Sequence, residues 1–262
     1  MWKHSDDHTA PVLTAKAHIE SCHTESEKMI LPDTAILFFM SGGVEHLCEN
    51  YEVQLLNEKF PRFLRQCPVY ALKEKGICFL NGGSGAPMAA DTLETLAVLG
   101  VKRIFAVGMF GAFSDKITCG EVIVPDKAFV EEGTSLHYYE SIEYAQPDQV
   151  LSRTFAGELG VRSYPVISTD AVYRQTFYKE QLWRRKGAVG VDMETSALFS
   201  VGKYLGLQTA AALIASDRHP LAENDVKWEW HITRERKTAL FEAGLHAVLR
   251  ASSPAGGGAG GV

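Results

Sequence analysis

A chain of 262 residues, 46% hydrophobic and 22% charged, has the composition of an ordinary globular protein and is long enough to bury one large core. Its formal net charge of -6, from 26 Lys and Arg against 32 Asp and Glu without basic runs, excludes nucleic acid polymers and anionic membranes as expected partners. No apolar stretch approaches the roughly 18 residues that span a bilayer, the N-terminus lacks the apolar segment of an export signal, and the five cysteines form no Cys-x-x-Cys pair, so a reduced, cytoplasmic protein is expected.

In chain order, residues 1–10 are expected to be a disordered tail, and a single domain is expected over residues 11–250. His4, His8, His18 and His23 complete no metal-ligand set, and neither a metal nor a cofactor is expected. Thr34–Met40 opens a series of strand-like runs, and Ile36–Met40 is apolar throughout, as suits a strand buried on both faces. Gly76–Asn81 is the next strand. It runs into Asn81-Gly-Gly-Ser-Gly-Ala-Pro87, a turn whose backbone N–H groups can approach an anion, or which simply turns the chain. The third glycine of a dinucleotide fingerprint is missing. A helix follows over Met88–Leu99, with Leu93, Leu96 and Leu99 at helical spacing and Gly100 as its stop.

Arg103–Gly108 predicts a buried strand, and Val107-Gly-Met-Phe-Gly-Ala112 places glycines just past it, where a ligand or a neighbouring strand comes close or the strand bulges. Strands are also expected at Glu121–Pro125, Val161–Ser168 and Thr209–Ser216. Gly190-Val-Asp-Met-Glu-Thr-Ser-Ala197 starts a helix over Met193–Leu205. Acidic residues there balance the helix dipole, or accept hydrogen bonds from a sugar diol worth about 1.5–3 kcal/mol each. Ser216-Asp217-Arg218-His219-Pro220 follows the apolar strand. Asp217 caps a turn there or, with its pKa raised by burial, serves as an acid. The last helix is expected over Ile232–Arg250, with Leu240, Ala243, Ala247 and Leu249 turned inward, and residues 252–262 are expected to be a disordered tail. Alternating strands and helices predict an α/β, single-domain layered fold whose central mixed, largely parallel sheet is flanked by helices.

These segments together resemble the trimer- or hexamer-forming nucleoside phosphorylase and nucleosidase superfamily over roughly residues 11–250. Glu131–Tyr138 and Ser168–Thr176 are similar to segments of its uridine and broad-specificity branch, and Asp192-Met-Glu194 matches the ribose-binding Glu-Met-Glu. The resemblance implies cleavage of the bond between a nucleobase and its ribose, purine slightly favoured over uridine. It assigns Glu194, within the substrate-binding Asp192–Glu194 run, to the ribose 2′- and 3′-hydroxyls, with Met193 beneath the sugar. His18 would reach the 5′-hydroxyl from a neighbouring subunit, so self-association as a dimer, trimer or hexamer is implied. Asp217, paired with Ser216, matches the aspartate that protonates N7 of a departing purine. Gln175 resembles the glutamine of uracil-binding relatives. The family's base-stacking aromatic falls at Val172, with Tyr173 next to it.

The acceptor side departs from the pattern. Ala106 and Met109 stand where phosphorylases have an arginine and a Ser or Thr, and Gly42-Gly-Val-Glu-His46 puts His46 in an arginine's place. Backbone N–H groups of Gly42, Gly43 and Gly108, with Arg62 or Arg65 supplied by a neighbour, would then hold inorganic phosphate as co-substrate. Nucleosidases instead activate water with a glutamate from the early loop, and Glu45 is the candidate. Phosphate and water both remain open as acceptor, and so does a non-enzymatic nucleoside-binding or assembly protein that kept the fold and lost the chemistry.

Overall fold

The computed structural model describes residues 7–22, 29–225, 228–230 and 232–252. Residues 1–6 and 253–262 of the expected tails, together with His4 and His23, lie outside the described residues. In chain order the elements are α1 (Ala15–Cys22), β1 (Thr34–Phe38), α2 (Gly43–Asn50), β2 (Val53–Asn57), β3 (Val69–Leu72), β4 (Ile77–Asn81), α3 (Ala86–Val98) and β5 (Arg103–Ala112). Then come β6 (Val122–Ile123), β7 (Ala128–Glu131), α4 (Ser135–Tyr138), β8 (Tyr144–Ala145), α5 (Gln149–Leu159), β9 (Val166–Thr169) and a 3₁₀ turn at Val172–Arg174. The chain closes with α6 (Phe177–Arg185), β10 (Gly190–Asp192), α7 (Thr195–Tyr204), β11 (Gln208–Arg218), β12 (Glu229–Trp230) and α8 (Arg234–Ser252).

The sheet runs β2-β3-β4-β1-β5-β10-β9-β7-β8, and β11 adds to β5 on its other edge. β1 is parallel to β4 and β5, and β11 is parallel to β5, so the centre is the parallel part; β2 and β3 form an antiparallel edge. Side chains of the central strands alternate between two cores. Ala35, Leu37, Ile104, Ala106, Ala211 and Leu213 face one, and Ile36, Phe38, Phe105, Val107, Ala210 and Ala212 face the other. Helices α3 and α7 pack together against the first face, while α5 and α8 pair over the second. Helices on both faces leave no solvated side, which is why β1 and β11 read as unbroken apolar runs.

β5 is the spine that positions the site. β11 pairs with it along residues 103–112, whereas on its opposite edge β1 pairs along 103–107 and antiparallel β10 takes over at 111–112. The sheet therefore parts beyond the carboxyl end of β1, and α/β sheets bind ligands at such a change of strand order.

Some expectations shift. β5 and β11 run beyond the expected strands, to Ala112 and Arg218, while Glu121–Pro125 keeps only two residues of strand and Val161–Ser168 does not pair until Val166. In α8, Ala243 is exposed and Leu249 is half-buried; Leu240, Phe241, Leu245, Ala247 and Val248 form the buried stripe. The helix also runs on to Ser252, into the expected tail. Among the described residues no helix is long and apolar enough to cross a membrane, and Cys48, Cys67, Cys78 and Cys119 are free.

Candidate active site

A cavity of about 660 Å³ opens where the sheet parts. Its floor is Met109, Phe110 and Gly111 of β5, Val191 and Asp192 of β10, and Ser216 and Asp217 of β11; Phe39 and Ser84 flank it, and Val172, Tyr173, Gln175, Trp228 and Trp230 form its rim. Met193 and Glu194 line it from the turn into α7, and Glu180 and His219 line its far end. The expected substrate residues at 172, 173, 175, 192, 193, 194, 216 and 217, remote in sequence, thus meet around one hollow.

Glu194 sits at the N-cap of α7 without capping it. Its Oε1 accepts the Gly85 N–H at 2.5 Å, so the glycine-rich turn at the start of α3 presents its amide to a carboxylate of the same chain. Gly85 has φ 79°, a left-handed conformation that glycine supplies without strain. Burial, and next the charge of Asp192, push the Glu194 carboxyl up to about 8. It is therefore largely protonated at neutral pH and can both donate to and accept from a diol.

Asp192 lines the hollow, but its oxygens are already engaged. Ser168 Oγ donates to Oδ1 at 2.5 Å, the Thr195 N–H donates to Oδ2 at 3.1 Å, and the Thr195 hydroxyl donates to Oδ2 as well. Burial pushes its pKa up to about 6 and these donors limit the rise, so it stays ionised at neutral pH and ties β9, β10 and α7 together.

Asp217 is also held differently from the expectation. Burial alone would raise its pKa, but His219, Ser216 and Trp228 outweigh burial and lower it below the ordinary value. Trp228 Nε1 donates to Oδ2 at 2.5 Å, His219 Nε2 stands 3.3 Å from the same oxygen, and Ser216 Oγ donates to Oδ1. Asp217 is thus an ionised acceptor at rest rather than a stored acid. A register shift against β5 between Ala215 and Asp217 makes Ser216 a bulge, which re-aims Asp217 toward Gly111. A Cβ at Gly111 would lie 2.5 Å from His219 Nε2, so only glycine lets the imidazole lie there.

Apart from Met109, the expected acceptor-side residues do not line this hollow. Gly42, Glu45 and His46 line a separate hollow of about 100 Å³ with Arg234 and Lys237. There His46 Nε2 pairs with Glu242 Oε1 at 2.5 Å, and Tyr51 donates to the other oxygen of Glu242. A Cβ at Gly43 would meet the Phe38 ring and one at Gly108 would meet Leu213, and neither glycine lines the cavity, whereas Met109 does. Arg62 is 2% exposed; it donates to Asn81 O at 2.8 Å, to Thr92 Oγ1 at 2.9 Å and to Arg65 O. Arg62 is thus engaged within its own chain, whereas Arg65 is exposed. His18 lies on α1 with its ring edge-on to Phe63, 5.2 Å between centroids, and does not line the cavity of its own chain.

Sequence reasoning missed His219, Glu180, Trp228 and Trp230. His219 carried a signal: it stands two residues after Asp217, the spacing that puts side chains on one side of an extended chain. Glu180 carried none, because it comes from α6, which no apolar periodicity marked. Among the described residues no cluster of His, Cys, Asp or Glu is placed to hold a metal.

With this geometry in place, comparison with known proteins gives a consistent result. The family model of the Phosphorylase superfamily matches residues 33–250. A guanosine phosphorylase from Halorubrum lacusprofundi is 30% identical over 187 residues, 69% of this chain and 75% of that one. A uridine phosphorylase structure from Vibrio fischeri aligns with TM-score 0.66 and 28% identity, covering 86% of this chain and 92% of that one. An AMP nucleosidase structure from Bacteroides thetaiotaomicron, 24% identical with TM-score 0.66 over 84% and 91% of the two chains, shares the fold.

Proposed function

This chain belongs to the phosphorylase superfamily, and from that premise we propose that it is an enzyme cleaving the N-glycosidic bond of a purine nucleoside. The observation that carries the reading is that Glu194 and Asp217 open onto one cavity from β10–α7 and from β11. Breaking C1′–N builds positive charge on the sugar and negative charge on the base. Glu194 holds the ribose 2′- and 3′-hydroxyls with Met193 beneath the ring, and Asp217 faces the base. Proton delivery to a departing base is typically worth about 10²–10⁴-fold. The presence of Asp217 beside Ser216, and the guanosine phosphorylase among the relatives, favour purine; Gln175 on the same rim would serve uracil, the second reading.

Phosphate or water accepts the ribosyl group. Family membership supports phosphate, whereas among the described residues lining the cavity none is Lys or Arg, which supports water. Self-association would place His18, with exposed Arg65, beside the cavity of another copy.

A nucleoside panel incubated with and without phosphate, followed by detection of free base and of ribose or ribose 1-phosphate, tests this. Purine nucleosides should release base faster than uridine. Thermal stabilisation by nucleosides without any released base would instead show a binding protein.

A further inference from the structure

Asp217, His219 and Glu180 form a row at the base end of the cavity. Glu180, in the first turn of α6, is 5% exposed, and its Oε1 lies 2.6 Å from His219 Nδ1. On the other side of the ring, His219 Nε2 lies 3.3 Å from Asp217 Oδ2. A neutral imidazole carries one N–H and would turn a lone pair toward one of these carboxylates; the doubly protonated ring donates to both.

We infer that this row is a proton relay in which the His219 imidazolium, held by Glu180, supplies through Asp217 the proton taken by the departing base. The inference rests on the glycosidic reading and adds the proton's source, which Asp217 at rest does not hold. As C1′–N breaks, its electron pair leaves with the base. The Nε2 proton passes to Asp217 Oδ2 and the aspartate's proton to a ring nitrogen of the base, so the base departs neutral. Phosphate or water forms the new bond to C1′, and water, if it attacks, gives its proton to solvent. His219 is left neutral, with its Nδ1–H still on Glu180, and recovers a proton from solvent. His219 and Glu180 act on the base through Asp217 and are positioning residues.

The surroundings favour the charged ring. Burial would lower the His219 pKa, but Asp217 first and then Glu180 raise it to about 9. Arg184, also on α6, stands 3.9 Å from Glu180 Oε2 and donates to Phe113 O, and the Cys119 thiol is near Asp217; neither takes the place of a carboxylate on the ring. Because the folded pKa is raised, the stabilisation from this clamp is complete below 6.5 and is lost as pH rises through about 9.

The test compares kcat–pH profiles on a purine nucleoside and on 4-nitrophenyl riboside, whose leaving group needs no proton. For the wild type, kcat on the nucleoside should fall as pH rises through about 9, with a flatter profile on the nitrophenyl substrate. His219→Gln should lose roughly 10²-fold on the nucleoside and far less on the nitrophenyl riboside. Glu180→Gln should move the alkaline limb down by about a unit or more. Equal losses by His219→Gln on both substrates, or an alkaline limb unmoved in Glu180→Gln, overturn the relay while leaving the function standing. A wild-type protein that releases no base from either substrate overturns the function and the relay with it.

Discussion

Glu194 and Asp192 are two residues apart and do different work because their donors differ. Asp192 accepts from Ser168 and Thr195 and keeps its charge, whereas Glu194 has the Gly85 amide and an anionic neighbour and gives its charge up. Glu194→Ala should lower kcat/KM by roughly 10- to 100-fold, the worth of two hydrogen bonds to a diol at about 1 kcal/mol each, in steady-state kinetics on any accepted nucleoside. Stability should move the other way. With the folded pKa near 8 against an ordinary 4.5, the unfolded chain releases this proton first, so the buried carboxyl destabilises increasingly from about pH 4.5 to 8 and fully above. Glu194→Gln should therefore raise Tm at pH 9 and change it little at pH 4.5, and equal shifts at both would refute the raised pKa. Asp192→Ala leaves buried hydroxyls and an amide without their acceptor, and should cost about 2–4 kcal/mol in urea unfolding. The run Asp-Met-Glu was legible in the sequence; which carboxylate would be tied down was not, because Ser168 comes from a different strand.

At the scale of elements, what could be read in advance was what burial writes into local pattern. β1, β5 and β11 announce themselves because both faces are covered, and α3 and α7 because glycines stop them. β2 escaped because its residues are half-buried or exposed, and β10 because three residues between a turn and a helix carry no period. α5 had signals that periodicity did not pick up: Asp148 accepts from the N–H groups of Val150 and Leu151 at one end, and Gly160 at φ 66° closes the other. Asp148→Ala should cost about 1 kcal/mol, read as a lowered midpoint in denaturant with unchanged slope. The relay was partly invisible for a related reason, since Glu180 is brought to His219 by packing of α6 that no local pattern encodes.

At the scale of the molecule, one chain supplies the sugar and base walls, while the early loop expected at the acceptor side closes a different hollow. Arg62 bonds within its own chain, to Arg65, Asn81 and Thr92, while Phe63 and Leu64 stand exposed beside α1, 62% and 54% accessible, an apolar edge suited to burial against another copy. If His18 completes a neighbour's cavity, His18→Ala and Glu194→Ala, each impaired alone, should regain part of the activity when co-expressed, because mixed assemblies contain some cavities with both side chains intact. Two impaired variants that stay additive in the mixture would mean that each cavity works by itself. The fold class and the order of its parts were evident from sequence; a contribution of one copy to another's cavity is what that co-expression reads.

The cavity has a floor of paired strand and a rim of exposed side chains, Tyr173 at 95% accessible and Trp228 and Trp230 at about half. Val172 and Tyr173 bury little on folding, so under the proposed function exchanging them would alter the base wall at small thermodynamic penalty, whereas exchanging Trp228 removes a donor to Asp217 and exchanges in β5 or β11 disturb both cores at once. If the chain cleaves nucleosides as proposed, preference among nucleobases can therefore drift over generations while the scaffold persists, and selection for a new leaving group leaves its first marks at positions 172 and 173.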